Sequence, residues 1–563
     1  MTAEVRPHDK APMDSGSAYV VSGDFLKLKT LASLVSGATE YEITQETDVL
    51  DRMRKSESIV DQSVSRQDCI YGVTTGFGGM ADGIIPAEFA SRLQNNLLNF
   101  LSAGFGDSIA GEHTKCAMLI RANMLLRGHS GIRVELVRRL IQFAQVDALP
   151  VVHEQGSIGA SGDLIPLATI ARAIVGHDKT VKVDYQGERI SSDELLKRLN
   201  LESIELNAKE GLALINGTSF SAAIAANSLH SFKNKFALSL AIQAMLLRAK
   251  LAHEDPFMPF VHECKPHPGQ KWIAQSVLAL MQTDAPVIQN KNQPVQDRYS
   301  VRCIPQYLGS NAEGVARLIR MVEVELNSVS DNPLVDLDSE QLFQSGNFLG
   351  QYIGVGMDEL RRIIALTAKH LDVQIAHLVA PEFNGGLPPS LRGNDDEPVN
   401  MGLKGLQIAG NSLVPMLLHQ AAPLVEHYPT YAEQFNQNVN GLSWGSANLA
   451  WKSNVLFGDY LAIACIFAVQ ACDLRAKNLF GDFDGRRIIG SRLMPVYETV
   501  LKLLNVEPGG ESPLLFDDGD RCLEDDIAVL AENIKQGANG SPGSLSQSVA
   551  HVVESFEREL ESA

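Results

Sequence analysis

Apolar residues recur at helical spacing through most of the 563-residue chain, and period-two alternation is scarce. Segments 25–35 and 45–65 read as modest helices. From Glu88 onward Phe89, Leu93, Leu97 and Leu101 stand four apart, which predicts a helix over 88–101 with one apolar face. Segments 114–126 and 134–144 continue in this style, the second with Val134, Val137, Ile141 and Ala144 as its inward stripe. Residues 163–172 start with an Asp, carry Pro166 in the first turn and are stopped by Gly176. Segment 219–253 contains neither Gly nor Pro, and one helix there would run about 50 Å at about 1.5 Å per residue. Four more helices with broad apolar faces are predicted over 315–327, 357–379, 413–426 and 446–476, the third ending or kinking near Pro423. A hairpin at 181–185 with its Gln186-Gly187 turn is one of few strand signals. Beyond Asn505 the chain is punctuated by Pro508-Gly509-Gly510 and by glycines from 537 to 543, and closes in a polar helix over 545–560.

This pattern predicts a mostly α protein: an elongated helical bundle with a smaller, loop-rich N-terminal region. The expected partition is a mobile tail at 1–20, a loop-rich region at 21–218, a long-helix bundle at 219–476 and a C-terminal helical region at 477–563. Long helices pack side by side, and apolar faces this wide imply self-association.

Charge narrows the partners. Lys and Arg number 48 against 67 Asp and Glu, and the net charge of −19 is spread along the chain, which disfavours nucleic acid and anionic membranes. The most apolar run, 460–472, falls short of the roughly 20 residues of a bilayer span. The seven cysteines form no Cys-x-x-Cys, as expected of reduced thiols in a cytoplasmic protein, and no signal-peptide core is evident.

Candidate chemistry centres on Gly156-Ser157-Ile158-Gly159-Ala160-Ser161-Gly162-Asp163-Leu164. One reading is a glycine-rich turn that caps a helix. Another is an anion cradle at a helix N-terminus, although Asp163 would put a carboxylate where the anion sits and no P-loop Lys follows. A third starts from the small residues. The Gly162 amide nitrogen can fold onto the Ala160 carbonyl carbon, and loss of two waters would leave an electrophilic ring built from backbone and Ser161. The run 156–167 resembles the signature of the aromatic amino acid ammonia-lyases, with the central residues matching without a gap.

The resemblance extends from about Val20 to the C-terminus. It implies non-oxidative loss of ammonia, a 4-methylidene-imidazol-5-one (MIO) group formed from Ala160, Ser161 and Gly162, and a homotetramer with active sites shared between subunits. Tyr71, in Tyr-Gly-Val-Thr-Thr-Gly-Phe-Gly, matches a catalytic tyrosine on a lid; alone it would read as an anchoring aromatic. A phenol acting as base at neutral pH needs ionisation or nearby positive charge. By the same resemblance Asn216 holds the ring oxygen, Leu212 lines the ring pocket and Tyr299 is a second catalytic tyrosine. Arg302 is the carboxylate clamp, suited by its planar fork, while Gln296 and Asn347 are hydrogen-bonding companions. Lys404 and Glu433, with Gln437 beside them, would set the charge around the amine. After Asn438 the chain departs from many relatives, at Val439-Asn440-Gly441-Leu442, which bears on the far wall of the pocket.

The resemblance also places Phe100 and Leu101 at the pair that meets the substrate ring; an apolar pair suits an unsubstituted phenyl and points to L-phenylalanine giving trans-cinnamate, with weak tyrosine activity. The rivals are a tyrosine ammonia-lyase, a phenylalanine aminomutase and a non-catalytic helical scaffold. The run His262-Glu263-Cys264-Lys265-Pro266-His267 suggests metal ligands, but Pro266 breaks helical spacing and no second cluster accompanies it, so no metal is expected.

Overall fold

The computed structural model describes residues 18–283, 295–537 and 542–561. The expected tail at 1–20 lies outside them apart from its last three residues. Of those, Tyr19 and Val20 belong to a strand, Tyr19–Val21, paired in parallel with Tyr41–Ile43.

The chain is mostly helical and forms two compact, interleaved units. The first comprises Met1–Asn227, Met321–Asp358 and Pro423–Asn448; the second comprises Ser228–Arg320, Glu359–Ala422 and Leu449–Ala563. The linear partition at 218 and 476 therefore differs from the observed one. The unit boundary falls inside the helices Ser219–Lys250, Ile304–Leu326, Gln351–Leu378 and Ser443–Phe480, where hydropathy shows no break.

In the first unit, helix Gly111–Leu125 is buried on every side from His113 onward, so it shows no apolar period despite its core position. Helix Val134–Gln145 lies against it, with Val137, Ile141 and Ala144 buried as expected and Leu136, Leu140 and Phe143 widening the stripe. Of the predicted stripe Leu97 and Leu101 are buried, Leu93 is half-buried and Phe89 is exposed just ahead of helix Ala90–Phe100, which also buries Ala90, Gln94 and Leu98. Strand Phe105–Ser108 follows it and pairs antiparallel with His153–Gln155, the entry to the 156–162 loop. The predicted hairpin is present as Lys182–Tyr185 paired with Glu188–Ser191.

The second unit holds helices without a clear advance signal: Pro268–Met281, Met494–Leu503 and Leu523–Gln536. Its core includes an aromatic series in which Phe232 meets Phe236 and Phe457, Phe236 stacks on Trp272, and Trp272 meets Phe556 edge-on. The helix expected over 413–426 is Lys404–Gln420; it carries Pro415 in its interior and stops before Pro423, which cannot continue it. The 460–472 run is part of the 38-residue helix Ser443–Phe480, and 83% of its most apolar window is buried inside the protein. All seven cysteines are free; Cys116, Cys465 and Cys472 are buried, while Cys69, Cys264 and Cys522 are exposed.

Candidate active site

The 156–162 loop is held by its own small residues. Gly159 and Gly162 are left-handed, at φ 64° and 66°, a conformation that glycine adopts without strain. Ser157 Oγ accepts the Gly159 N–H and donates to the Gly162 carbonyl, each at 3.1 Å. Outside the loop, Gly350 N donates to the Gly159 carbonyl at 3.1 Å and Leu442 N to that of Ile158 at 2.9 Å. A Cβ at Gly162 would stand 2.2 Å from the Gly217 oxygen, so no other residue fits there.

The Asp163 side chain makes no capping bond to the helix it precedes. Its Oδ2 accepts from Phe220 N, Ser221 N and Ser221 Oγ at 3.0, 2.7 and 3.0 Å, at the start of Ser219–Lys250. The carboxyl is wholly buried, and desolvation pushes its pKa up to about 7 despite these bonds.

Ala160 and Ser161 border a cavity of about 310 Å³ enclosed by Tyr71, Phe77, Phe100, Leu212, Asn216, Glu433 and Gln437, all within the first unit. Gln437 Nε2 donates to Ser161 Oγ at 2.9 Å. Asn216, just past helix Glu210–Ile215, donates through Nδ2 to the Asn332 carbonyl at 3.2 Å. Tyr71 Oη accepts the Gly78 N–H at 3.0 Å. Its pKa is raised, first by burial and also by the Glu433 carboxylate; the Gly78 bond opposes both. Burial likewise raises Glu433, against hydrogen bonds from Asn436 and Gln437. The cavity lining holds no Lys, Arg or His among the described residues. The positive charge expected to poise Tyr71 is thus replaced by a neighbouring acid.

The lid closes on a second loop. Glu433, Gln434 and Phe435 are all left-handed, and Gly78 and Gly79 lie so close that a Cβ on either would come within 2.4 Å of a Glu433 or Gln434 carboxyl or amide oxygen. Phe77 of the lid bridges Tyr71 and Phe100, with ring centroids 6.3 and 6.2 Å away.

The structure thus brings Tyr71, Phe100, Ala160, Ser161, Leu212, Asn216, Glu433 and Gln437 to one cavity, with Gly162 behind it. Leu101 is not part of the lining: it is buried at the end of its helix, and Leu97, one turn earlier, takes the wall. Asn347 also stands off the cavity, which Gly346 and Phe348 border; its carbonyl accepts from Ser330 Oγ. Gln296, Tyr299, Arg302 and Lys404 belong to the second unit. There Tyr299 is 72% exposed, Gln296 and Lys404 are exposed, and the Arg302 guanidinium stacks 4.7 Å over the Tyr299 ring.

Sequence reading missed Phe77, Leu97, Asn332 and Phe348 as lining residues, and placed Val439 only as a departure; it borders the cavity. It also missed Gln94. This fully buried amide donates to the Gly72 carbonyl at 2.9 Å and accepts from Leu212 N at 3.0 Å, tying the lid base to the ring-pocket helix. Gln94 is one of several polar residues in helix Ala90–Phe100, so sequence offered no signal that singled it out. His262 is occupied by the Pro256 carbonyl and the Gln270 amide, and no group of three or more His, Cys, Asp or Glu able to hold a metal occurs among the described residues.

The residues fit the ring that the resemblance implies. Gly162 sits where a side chain is excluded, Ala160 is small and 4% exposed, and the Ser161 hydroxyl borders the cavity. Comparison with known proteins agrees. Residues 26–496 match the model of the aromatic amino acid lyase family. The chain is 42% identical over 552 residues, 96% of each chain, to phenylalanine ammonia-lyase of Nostoc punctiforme. It is 34% identical over 544 residues to the aromatic ammonia-lyase of Loktanella atrilutea, covering 95% of this chain and 99% of that one. The solved phenylalanine aminomutase of Pantoea agglomerans superposes with a TM-score of 0.82 at 27% identity, covering 91% of this chain and 98% of the other. A small-residue loop facing a cavity with a tyrosine, an asparagine and a glutamate, in a chain that matches this family over most of its length, makes the protein a carbon–nitrogen lyase of the aromatic amino acid lyase family.

Proposed function

We propose that the protein converts L-phenylalanine to trans-cinnamate and ammonia, using an MIO group formed autocatalytically from Ala160, Ser161 and Gly162. The observation that carries this reading is the apolar lining that Phe77, Leu97 and Phe100 give to the cavity that Ser161 borders. It offers a phenyl ring dispersion contact and presents no hydrogen-bonding group to a phenol. Such a wall disfavours a hydroxylated ring only weakly, so slow turnover of tyrosine accompanies the main activity.

The MIO group supplies an electrophile that makes the amine a better leaving group. The chain's own residues do the rest. Tyr71 Oη, at the cavity wall, removes a proton from the β-carbon. Gln437 and Asn216 orient the loop and its oxygen, a preorganised polar setting of the oxyanion type. Glu433 balances the ammonium of the substrate. The lid, tied down at Gly78–Gly79, excludes water. The substrate carboxylate needs a cation, and the homotetramer with shared sites implied by the family likeness supplies it through Arg302, with Lys404 and Tyr299 near the departing ammonia. The protein acts in the cytoplasm.

Purified protein should form cinnamate from phenylalanine faster than it forms coumarate from tyrosine, and its intact mass should be two waters below that of the encoded chain. Ser161→Ala should abolish turnover at unchanged helical circular dichroism. β-Phenylalanine as the main product would instead favour the aminomutase reading, which the Pantoea likeness keeps in play.

A further inference from the structure

Arg121 lies on helix Gly111–Leu125 and is 2% exposed, although a charged side chain is costly to bury in a core helix. Its Nη1 donates to the Ser330 carbonyl at 2.8 Å and its Nη2 to the Ala213 carbonyl, while Nε has no partner. Burial works against its charge, which Asp331 and Asp163 favour. Asp331 is itself neutralised by Lys209 at 2.7 Å, both wholly buried. An apolar side chain would avoid desolvating a guanidinium but would take this donor from the Ser330 and Ala213 carbonyls, so the charge has a reason beyond filling space.

That reason is Gly217. A Cβ there would stand 2.1 Å from Arg121 Nη1 and 2.6 Å from the Ser330 oxygen, so the guanidinium lies directly on the Gly217 backbone. The carbonyl of the same residue accepts the Asp163 N–H at 2.8 Å and blocks any side chain at Gly162. Gly217 is therefore pressed between Arg121 and Gly162. Thr218 N bonds Ser330 Oγ at 3.1 Å, and that hydroxyl donates to the Asn347 carbonyl at 3.0 Å, so the backing wall is braced along its length.

We propose that Arg121 is a positioning residue for ring closure at Ala160–Ser161–Gly162, acting through the Gly217 backbone; this rests on the prosthetic-group reading above. Closure forms a bond between Gly162 N and the Ala160 carbonyl carbon. The Ala160 oxygen leaves as water with the amide hydrogens of Gly162 and Ser161, and a second water takes the Ser161 hydroxyl and α-hydrogen. No oxidant or reductant is required. The amide nitrogen must be held in near-attack contact with the carbonyl, about 3–3.5 Å, against the extended preference of a peptide. A wall that cannot retreat supplies that constraint. Once the ring exists the wall has done its part, so loss of Arg121 should lower the fraction of cyclised chains and not the turnover of each cyclised site.

The experiment is intact mass spectrometry of freshly purified wild type, Arg121→Lys and Arg121→Met, with circular dichroism and with kcat and KM expressed per cyclised chain. Wild type should be two waters light. Arg121→Met should be folded yet mostly at full mass. Arg121→Lys should start at full mass and lose both waters over time, by about tenfold or more slower than wild type, with kcat per cyclised chain and KM unchanged. A folded, fully cyclised Arg121→Met overturns the proposal, as does an Arg121→Lys that cyclises at the wild-type rate or shows reduced kcat per cyclised chain. If Arg121→Met does not fold, the time course of Arg121→Lys decides. Active wild type at full encoded mass would instead overturn the prosthetic-group reading itself, and the role of Arg121 with it.

Discussion

Tyr71 faces an acid where a base-poising cation was expected, and the consequence is a direction in pH. Burial and the Glu433 carboxylate both hold the phenol protonated, so the ionised fraction, and with it the proton abstraction proposed for Tyr71, should rise with pH on the alkaline side. Removing the Glu433 charge lowers the Tyr71 pKa. In Glu433→Gln the rising limb of kcat/KM should therefore move to lower pH, even as the amine contact weakens and KM increases; a profile that stays in place would show that Tyr71 does not titrate in the free enzyme. Asp163 gives a second, separable pH effect. Its folded pKa of about 7 lies above the ordinary value of about 3.9, so the folded state binds the extra proton. The resulting stability is fully present below about pH 4 and is lost as pH rises through about 7. Asp163→Asn keeps an acceptor for Phe220 N and Ser221 N and should flatten the fall of Tm over that window.

At the scale of elements, the lid and the 433–435 turn depend on each other. Gly79 has no room for a methyl group beside Gln434 and the Glu433 carbonyl, and overpacking of this kind costs about 1–3 kcal/mol. Gly79→Ala should leave global stability near wild type, since the loops are peripheral to the core, but should open the lid. Faster proteolytic cleavage between residues 70 and 85 and a lower kcat/KM are expected; an unchanged cleavage rate would show that the two loops do not latch. The helices themselves were read with uneven success. Those with one apolar face, such as Val134–Gln145, could be seen from period alone, and Ser219–Lys250 from its lack of breakers. Gly111–Leu125 is immersed in the core and its first turn lies outside the predicted 114–126, whereas Leu523–Gln536, with only three buried positions, gave no pattern to read. Helix Ala90–Phe100 buries Leu97 as its period predicts, and also Gln94, whose two backbone partners hydropathy cannot weigh.

For the whole molecule, the decisive question is where the substrate carboxylate finds its cation, since the lining of the cavity has none among the described residues. If sites are shared between subunits, Ser161→Ala and Arg302→Met homo-oligomers are each inactive, yet mixed subunits create some sites with both residues intact. Co-refolding the two variants should restore a measurable fraction of activity; none would indicate that Ser161 and Arg302 serve a site from one chain. The sequence alone determined the helical class and pointed to the small-residue tripeptide and to about half of the residues at the cavity, because these rest on local signals: spacing, small side chains and contiguous motifs. Only the tertiary structure decided that Leu97 replaces Leu101, that Asp163 caps a helix more than fifty residues away, that Glu433 opposes Tyr71, and that Arg121 backs the loop. The last three are contacts between segments far apart in the chain, and all four are set by which groups are buried together, a property of the packed fold that no stretch of sequence carries by itself.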